Sequence, residues 1–251
     1  AGPAGFQSGG GGARGRGAPG DRTTRQRGIR TAIGWAMLTA TVAATATGIV
    51  SPVGTVAAAP QSYALAGLWN MNESGGSIMN DAGPFGINGD IGDDVTPGFT
   101  FDGATGYSFP NGSPPAAQPV NPERLATVPH DPRLNPDPAD FANEVRYRTT
   151  KSCGNPAQQG QNGTWGGYFK FEQPSGFMAC LFKYNPPGGG ASSQKGVKSP
   201  IATNDGQWHT IRCEMRRSFG VMLFVDGVEV AKNGWGTQAP LPAIANDRPI
   251  S

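Results

Sequence analysis

The acidic stretch between positions 80 and 94 has the composition of a metal site. Asp81, Asp90, Asp93 and Asp94 lie there among asparagine and glycine residues. Carboxylate and amide oxygens are the ligands that calcium prefers, although the regular spacing of an EF-hand loop is absent. We therefore predict a calcium site at these four aspartates, with a plain solvated turn region as the alternative.

Three aromatic residues lie in or beside polar loop segments and could contact a ligand. They are Trp165, Tyr168 and Trp235. An exposed aromatic ring can stack on the face of a sugar, whereas a buried ring of the same type caps a hydrophobic core. We predict these three residues as ligand-binding positions and keep core packing as the alternative.

Residue patterns that support catalysis are absent from the sequence. Polysaccharide hydrolysis uses a pair of carboxylates at a fixed separation, but Glu144, Glu172, Glu214 and Glu229 each lack an acidic residue two or four positions later. No nucleophile elbow, zinc-protease motif or phosphate-binding loop occurs either. His209 alternates with Trp208 along the chain, so we interpret it as a packed, hydrogen-bonded group, and a lone histidine without an evident partner is seldom a general base. We predict no enzyme activity.

The three cysteines favour one disulfide bond. Alternation places Cys180 and Cys213 on the apolar faces of their own predicted strands, so a bond between them is feasible if those strands are neighbours. Such a bond would contribute roughly 3 to 4 kcal/mol in the chain-entropy model. Cys153, in a Gly/Asn/Pro loop, is left without a predicted partner. A zinc site is not predicted, because no C-x-x-C motif occurs.

Charge and composition separate the first 58 residues from the rest. Residues 1–58 contain six Arg and one Asp, whereas residues 59–251 contain fourteen Lys or Arg and seventeen Asp or Glu. Because the predicted domain carries a net negative charge, nucleic acid is not an expected partner.

The first 58 residues also predict export. Residues 1–28 are rich in Gly and Arg and are predicted to be a disordered leader. Residues 29–58 combine basic, apolar and small-residue regions in the order typical of a secretory signal, with cleavage after Ala58. The alternative is an uncleaved membrane anchor. We predict a secreted protein without stable membrane insertion after cleavage.

The region from 59 to 251 shows the alternation of β-strands. In residues 141–149, Phe141, Val145 and Tyr147 share one side, and similar alternation recurs in 168–172, 177–184 and 208–216. Segments rich in Gly and Pro separate these runs. The pattern predicts an all-β fold, an antiparallel two-sheet sandwich or jelly roll.

Two motifs in this region resemble the laminin G-like domains of the concanavalin A-like lectin/glucanase superfamily. The first is D-G-x-W-H, here Asp205, Gly206, Trp208 and His209, followed by a strand that ends in Val225-Asp226-Gly227. The second is the opening LAGLWNMNESGGSIMNDAGPFGINGDI. The resemblance covers roughly residues 65–251 and implies a two-sheet jelly roll. It also implies further closing strands, so we expect residues 59–251 to be incomplete at the C-terminal end.

These observations predict a secreted, non-catalytic binding module for a carbohydrate or an extracellular protein, with ligand contacts from loops on a rigid scaffold. One alternative is a polysaccharide-active enzyme of the same fold. Another is a structural spacer or adhesin fragment of a larger modular protein.

Overall fold

The computed structural model describes residue 60 and residues 63–109, 124–136 and 140–251. The predicted leader and signal segment, residues 1–58, lie outside these residues. Across the described part, no helix has the length and apolar character needed to cross a bilayer.

The strands, in chain order, are β1 (Ile78–Met79), β2 (Gly89–Ile91), β3 (Thr96–Phe101), β4 (Ala104–Ser108), β5 (Ala126–Thr127), β6 (Phe141–Arg148), β7 (Ala157–Gln159), β8 (Tyr168–Glu172), β9 (Phe177–Tyr184), β10 (Ser193–Ala202), β11 (Trp208–Arg216), β12 (Gly220–Val225) and β13 (Val228–Gly234). Two 3-10 helices span Pro132–Leu134 and Pro174–Gly176.

Two four-stranded antiparallel sheets form the body of the domain. The front sheet has the order β10-β9-β8-β7, and the back sheet has the order β13-β12-β11-β6. In the back sheet, Ile211 is the cross-strand partner of both Val225 and Val145. The alternation seen in the sequence therefore turns one face of each sheet toward a common core.

The core lies between these two sheets. The front sheet contributes apolar side chains from β8 and β9, and the back sheet contributes them from β11 and β12. The predicted disulfide between Cys180 and Cys213 is confirmed, with 6.2 Å between the two Cα atoms. It joins β9 to β11 across the core, so these strands face one another in opposite sheets and are not neighbours in one sheet. The buried members of this core are Phe169, Phe171, Met178, Cys180, Phe182, Ile211, Cys213, Met215, Val221, Leu223, Val225, Trp235, Leu241 and Ile244.

Strand β12 is buried on both faces, unlike a strand with one face toward solvent. Leu223 points into the core, while Met222 and Phe224 on the opposite face are also buried. On that same face of the back sheet, Glu214 is fully buried and forms ion pairs with Arg212 and Arg216. This explains why β12 is a continuous apolar run in the sequence.

A third, smaller sheet has the order β1-β2-β5, and we call it the side sheet. It covers a second apolar cluster of seven buried residues among those described. Ile250 pairs with Val128, just after β5, and also forms a bridge to Gln159 in β7. Ser251 exchanges two backbone hydrogen bonds with Gln158. Residues 250–251 thus connect the side sheet to the front sheet. The side-sheet cluster contains Met79, Ile87, Ile91, Val95, Ala126, Val128 and Leu134.

Candidate functional site

A cleft of about 400 Å³ opens beside the end of the front sheet where β8 begins. It is bordered by the exposed indole of Trp165, whose exposed fraction of 71% is the highest among the large apolar side chains described. Four separate loop segments contribute to it. The lining residues are His130, Asn135, Trp165, Gly166, Pro187, Ala245, Asn246 and Asp247.

Trp165 lies on a tightly braced turn between β7 and β8. Thr164 donates its backbone N–H to the carbonyl of Gln161 and accepts the Gln161 N–H on its hydroxyl, at 2.9 and 2.8 Å. The side chain of Asn185 donates to the carbonyl of Thr164 at 2.8 Å. These bonds fix the backbone of the turn that presents the solvent-exposed indole, which reduces the ordering needed when a ligand binds.

Gly166 allows the turn to approach the segment that forms the opposite wall. Its φ of +77° lies in the left-handed region, and an added Cβ would lie 1.8 Å from the carbonyl oxygen of Ala245. Only glycine combines this conformation with so close a backbone contact. Because Gly166 has no side chain, the turn that carries Trp165 can pack directly against the segment around Ala245.

The polar lining residues differ in whether their hydrogen-bonding groups are already used. Asn246 donates from Nδ2 to the carbonyl of Gly167 at 3.0 Å and accepts from the Arg248 N–H at 2.8 Å. Both ends of its amide are thus engaged within the fold. The Asp247 side chain is 82% exposed, and its Oδ1 lies 3.4 Å from Nε of Arg248. His130 is also exposed.

Two of the three predicted ligand-binding aromatics are core residues. Tyr168 is 5% exposed and Trp235 is 8% exposed, so neither can offer a ring face to a ligand. Burial raises the pKa of the Tyr168 hydroxyl. Trp235 donates from Nε1 to the carbonyls of Arg216 and Arg217 at 3.0 and 2.9 Å, which ties the chain after β13 to the back sheet. Only Trp165 of this set remains a candidate.

The structure does not assemble Asp81, Asp90, Asp93 and Asp94 into the predicted calcium site. Among the described residues, no three Asp, Glu, His or Cys groups lie where they could hold one metal ion. Asp90 lies in β2, and Asp94 forms an ion pair with Arg124.

Of the other two aspartates, Asp93 is exposed in the turn after β2, and Asp81 has a structural role. The carboxylate of Asp81 accepts backbone N–H groups of Leu68, Gly83 and Ile87 at 2.8, 2.6 and 2.8 Å. Desolvation raises the pKa of Asp81, but these hydrogen bonds outweigh it and the pKa is lowered. Asp81 therefore closes its own loop.

The D-G-x-W-H and V-D-G motifs meet in a hydrogen-bonded cluster. His209 contacts Asp226 through Nδ1 at 2.8 Å and Asp205 through Nε2 at 3.1 Å. Desolvation lowers the pKa of His209, but the two carboxylates outweigh it and raise the pKa. Asp226 also accepts the backbone N–H of Thr210 at 2.8 Å. The interpretation of His209 as a packed, hydrogen-bonded group is confirmed.

Sequence reasoning missed most of the cleft. His130 and Asn135 lie in one short segment, Asp247 lies far later in the chain, and the three share no motif. Asn135 follows the 3-10 helix, and the N–H of Ile244 donates to the carbonyl of Pro136 at 3.0 Å, which brings the 245–247 segment alongside. Such a pairing of distant loops leaves no local signal in the sequence.

No family model matches this sequence, and no curated protein matches it. Solved structures that match in part include domains LG4-5 of the mouse laminin α1 chain, with 20% identity and a TM-score of 0.35 over 45% of this chain. Two toxin domains also match. The binding domain of Paraclostridial Mosquitocidal Protein 1 gives 11% identity and a TM-score of 0.48 over 69% of this chain, and the binding domain of botulinum neurotoxin serotype G gives 13% and 0.47 over 68%.

The chain spans 27%, 42% and 40% of the lengths of those three chains, respectively. The laminin domains belong to the class that the sequence resembles, and the fold of this chain is an antiparallel two-sheet β-sandwich. Because all three TM-scores lie below 0.5, these likenesses say nothing about what this chain binds. The sandwich itself is established by the sheet pairing and the shared core described above.

Proposed function

We propose that this protein is a non-catalytic carbohydrate-binding module and that its ligand stacks on Trp165. The observation that carries the proposal is the solvent-exposed indole held on a braced turn beside a cleft with polar lining groups. Exposing so large an apolar surface to water is unfavourable, and covering it with a ligand recovers that free energy.

The polar groups beside the indole suit a sugar. A pyranose has apolar C–H groups on its faces and hydroxyls around its rim, so it needs an aromatic surface next to hydrogen-bonding side chains. Asn135 and Asp247 lie in the same cleft lining as Trp165 and supply amide and carboxylate groups. A mostly apolar surface with a few polar groups is the usual composition of a small-ligand site.

The same lining supports binding in preference to hydrolysis. Asp247 is the single carboxylate among the described residues that line the cleft. Hydrolysis of a glycosidic bond ordinarily requires two carboxyl groups on either side of the scissile bond. Binding without cleavage is therefore the function that we propose. We also propose that residues 29–58 act as the secretory signal that directs export of the protein.

The test is glycan binding by the purified protein and by its Trp165→Ala variant. We expect wild-type protein to bind a member of a panel of soluble polysaccharides, and the variant to bind about tenfold more weakly because the central aromatic contact is lost. Phe99→Ala is the matched control, since Phe99 is an exposed aromatic in β3 outside the cleft lining. Equal binding by the wild type and Trp165→Ala, or no binding by the wild type to the panel, would refute the proposal.

A further inference from the structure

A fully buried glutamine lies next to the cleft and controls one of its lining residues. Gln159 in β7 has an exposed fraction of 0%. Its Nε2 donates to the backbone carbonyl of Arg248 at 3.3 Å and to Oδ1 of Asn135 at 3.0 Å. Gln159 Oε1 is buried and has no hydrogen-bond partner within the described structure. Burying an amide oxygen without a partner is unfavourable. The two hydrogen bonds of the NH2 group are therefore the polar contacts that hold the Gln159 side chain in this orientation.

The two hydrogen bonds of Gln159 fix the direction of the Asn135 amide. A backbone carbonyl can only accept, so the Arg248 carbonyl requires the NH2 end of Gln159. That NH2 group in turn requires an acceptor from Asn135, which is Oδ1. The Nδ2 of Asn135 is left as the free end, and it has no protein partner among the described residues. Asn135 is partly exposed and lines the cleft.

We infer that Asn135 donates a hydrogen bond from Nδ2 to an acceptor oxygen of an uncharged glycan. Gln159 is the positioning residue that fixes the direction of the Asn135 amide. The inference rests on the proposed function, since the glycan is the ligand stacked on Trp165. Asn135 Nδ2 donates to one hydroxyl oxygen, and the Asp247 carboxylate accepts from another hydroxyl. Neighbouring hydroxyls on a sugar ring offer this combination of acceptor and donor.

The charges of the lining favour a glycan without acidic groups. No Lys or Arg occurs among the described lining residues, while Asp247 supplies a carboxylate. Arg248 pairs with Asp247 at 3.4 Å, so it partly compensates that charge from outside the lining. A uronate or sulfate group in the cleft would meet the like charge of Asp247 without a Lys or Arg in the lining to pair with.

The first experiment measures affinity for neutral galactomannan and mixed-linkage β-glucan, and for anionic polygalacturonate and dextran sulfate. We expect the neutral polymers to bind more tightly than the anionic ones. In Asn135→Asp, Oδ1 still accepts from Gln159, but the Nδ2 donor is replaced by an acceptor oxygen. We expect about a tenfold loss of affinity for the neutral ligand.

Asn162→Asp is the matched control for Asn135→Asp. It makes the same change in charge on the turn near Trp165, where Asn162 is exposed and its Oδ1 accepts from Nζ of Lys183. We expect this control to stay within twofold of wild type. Thermal melts of both variants check that the fold is retained.

The positioning role of Gln159 is tested by a double-mutant cycle with Asn135→Ala. Gln159→Met keeps the size of the side chain but removes the NH2 group that holds Asn135. We expect Gln159→Met to weaken binding several-fold in the wild type and to have no further effect in Asn135→Ala. An equal loss in both backgrounds would show a purely structural role and would overturn the assignment.

The outcomes separate the inference from the function on which it rests. If no polysaccharide binds in a Trp165-dependent way, the proposed function fails. If Trp165-dependent binding is found but favours the anionic polymers, or is equal in Asn135→Asp and Asn162→Asp, the function stands and the inference is overturned.

Discussion

His209 shows how one side chain holds two turns together. Its ring contacts the carboxylates of Asp226 and Asp205, which flank it from the β12–β13 turn and from the loop before β11. Each carboxylate also accepts a backbone N–H, from Thr210 and Gln207 respectively. The imidazolium is therefore part of a charged cluster whose strength depends on pH.

We predict that the contribution of His209 to stability decreases as the pH rises. Its pKa in the folded protein is raised above the unfolded value of about 6.5. The stabilisation is therefore fully present below pH 6.5 and is lost as the pH rises through the folded pKa. His209→Gln should lower the free energy of unfolding by on the order of 1 kcal/mol at pH 5.5 and by less at pH 8.5. Urea unfolding at the two pH values measures this difference, and equal losses at both would contradict it.

At the residue scale, the sequence predicted side chains whose partners lie along their own strand or one turn away. The alternation around Trp208 was enough to interpret His209 as a packed group. It could not reveal the role of Asp81, because three backbone N–H groups at positions 68, 83 and 87 bind that carboxylate only once the loop has its final path. Composition alone does not distinguish a calcium ligand from such a loop-closing aspartate.

At the scale of single elements, the turn that carries Trp165 depends on Gly166. We predict that Gly166→Ala lowers the free energy of unfolding by at least about 2 kcal/mol, because the new Cβ would collide with the Ala245 carbonyl in a left-handed conformation. Gly163→Ala is the control within the same turn. Its φ is +93°, but nothing lies within 4 Å of the added Cβ. Thermal or urea unfolding of the two variants compares them.

A loss in Gly163→Ala as large as that in Gly166→Ala would contradict this account of the turn. In that case the left-handed backbone alone would explain the requirement for glycine, and the contact with Ala245 would contribute nothing. The expected difference isolates the part of the cost that comes from the close approach of the two cleft walls.

Strands were predictable where they alternate and were missed where they do not. Strands β6, β8, β9 and β11 follow the predicted alternation of apolar and polar side chains. Strand β10 is polar and contains Gly196 and Pro200, and its first residue lies in a segment that the sequence marks as a loop. Its position is fixed by pairing with β9, which is a tertiary constraint. The short strands of the side sheet lack the length for any periodic signal.

At the scale of the whole molecule, Ile250 packs against both apolar clusters. We predict that Ile250→Ala lowers the free energy of unfolding by about 1 to 3 kcal/mol, since Ile250 is partly buried and the loss removes contacts on both sides. Ile201→Ala is the control, because Ile201 is 51% exposed in β10 and should change stability by less than about 0.5 kcal/mol. Equal effects of the two substitutions on urea unfolding would refute the prediction.

The two-sheet sandwich followed from the sequence, but the connection between its parts did not. Alternation places Cys180 and Cys213 on apolar faces, and this was enough to predict their disulfide. It does not specify whether two strands are side by side or face one another across a core. The cleft could not be predicted from the sequence either, because its walls come from loops that are brought together by distant contacts. Gln159 and Arg248, for example, lie 89 positions apart.

The bridge formed by residues 250 and 251 has a consequence for the order of events during protein synthesis. The N–H and carbonyl of Ile250 bond to Val128, and those of Ser251 bond to Gln158. Until residues 250 and 251 have left the ribosome, the backbone groups of Val128 and Gln158 lack these partners. Closure of the side sheet onto the front sheet must therefore wait until residue 251 has emerged, and until then the growing polypeptide has exposed backbone edges for chaperones to cover.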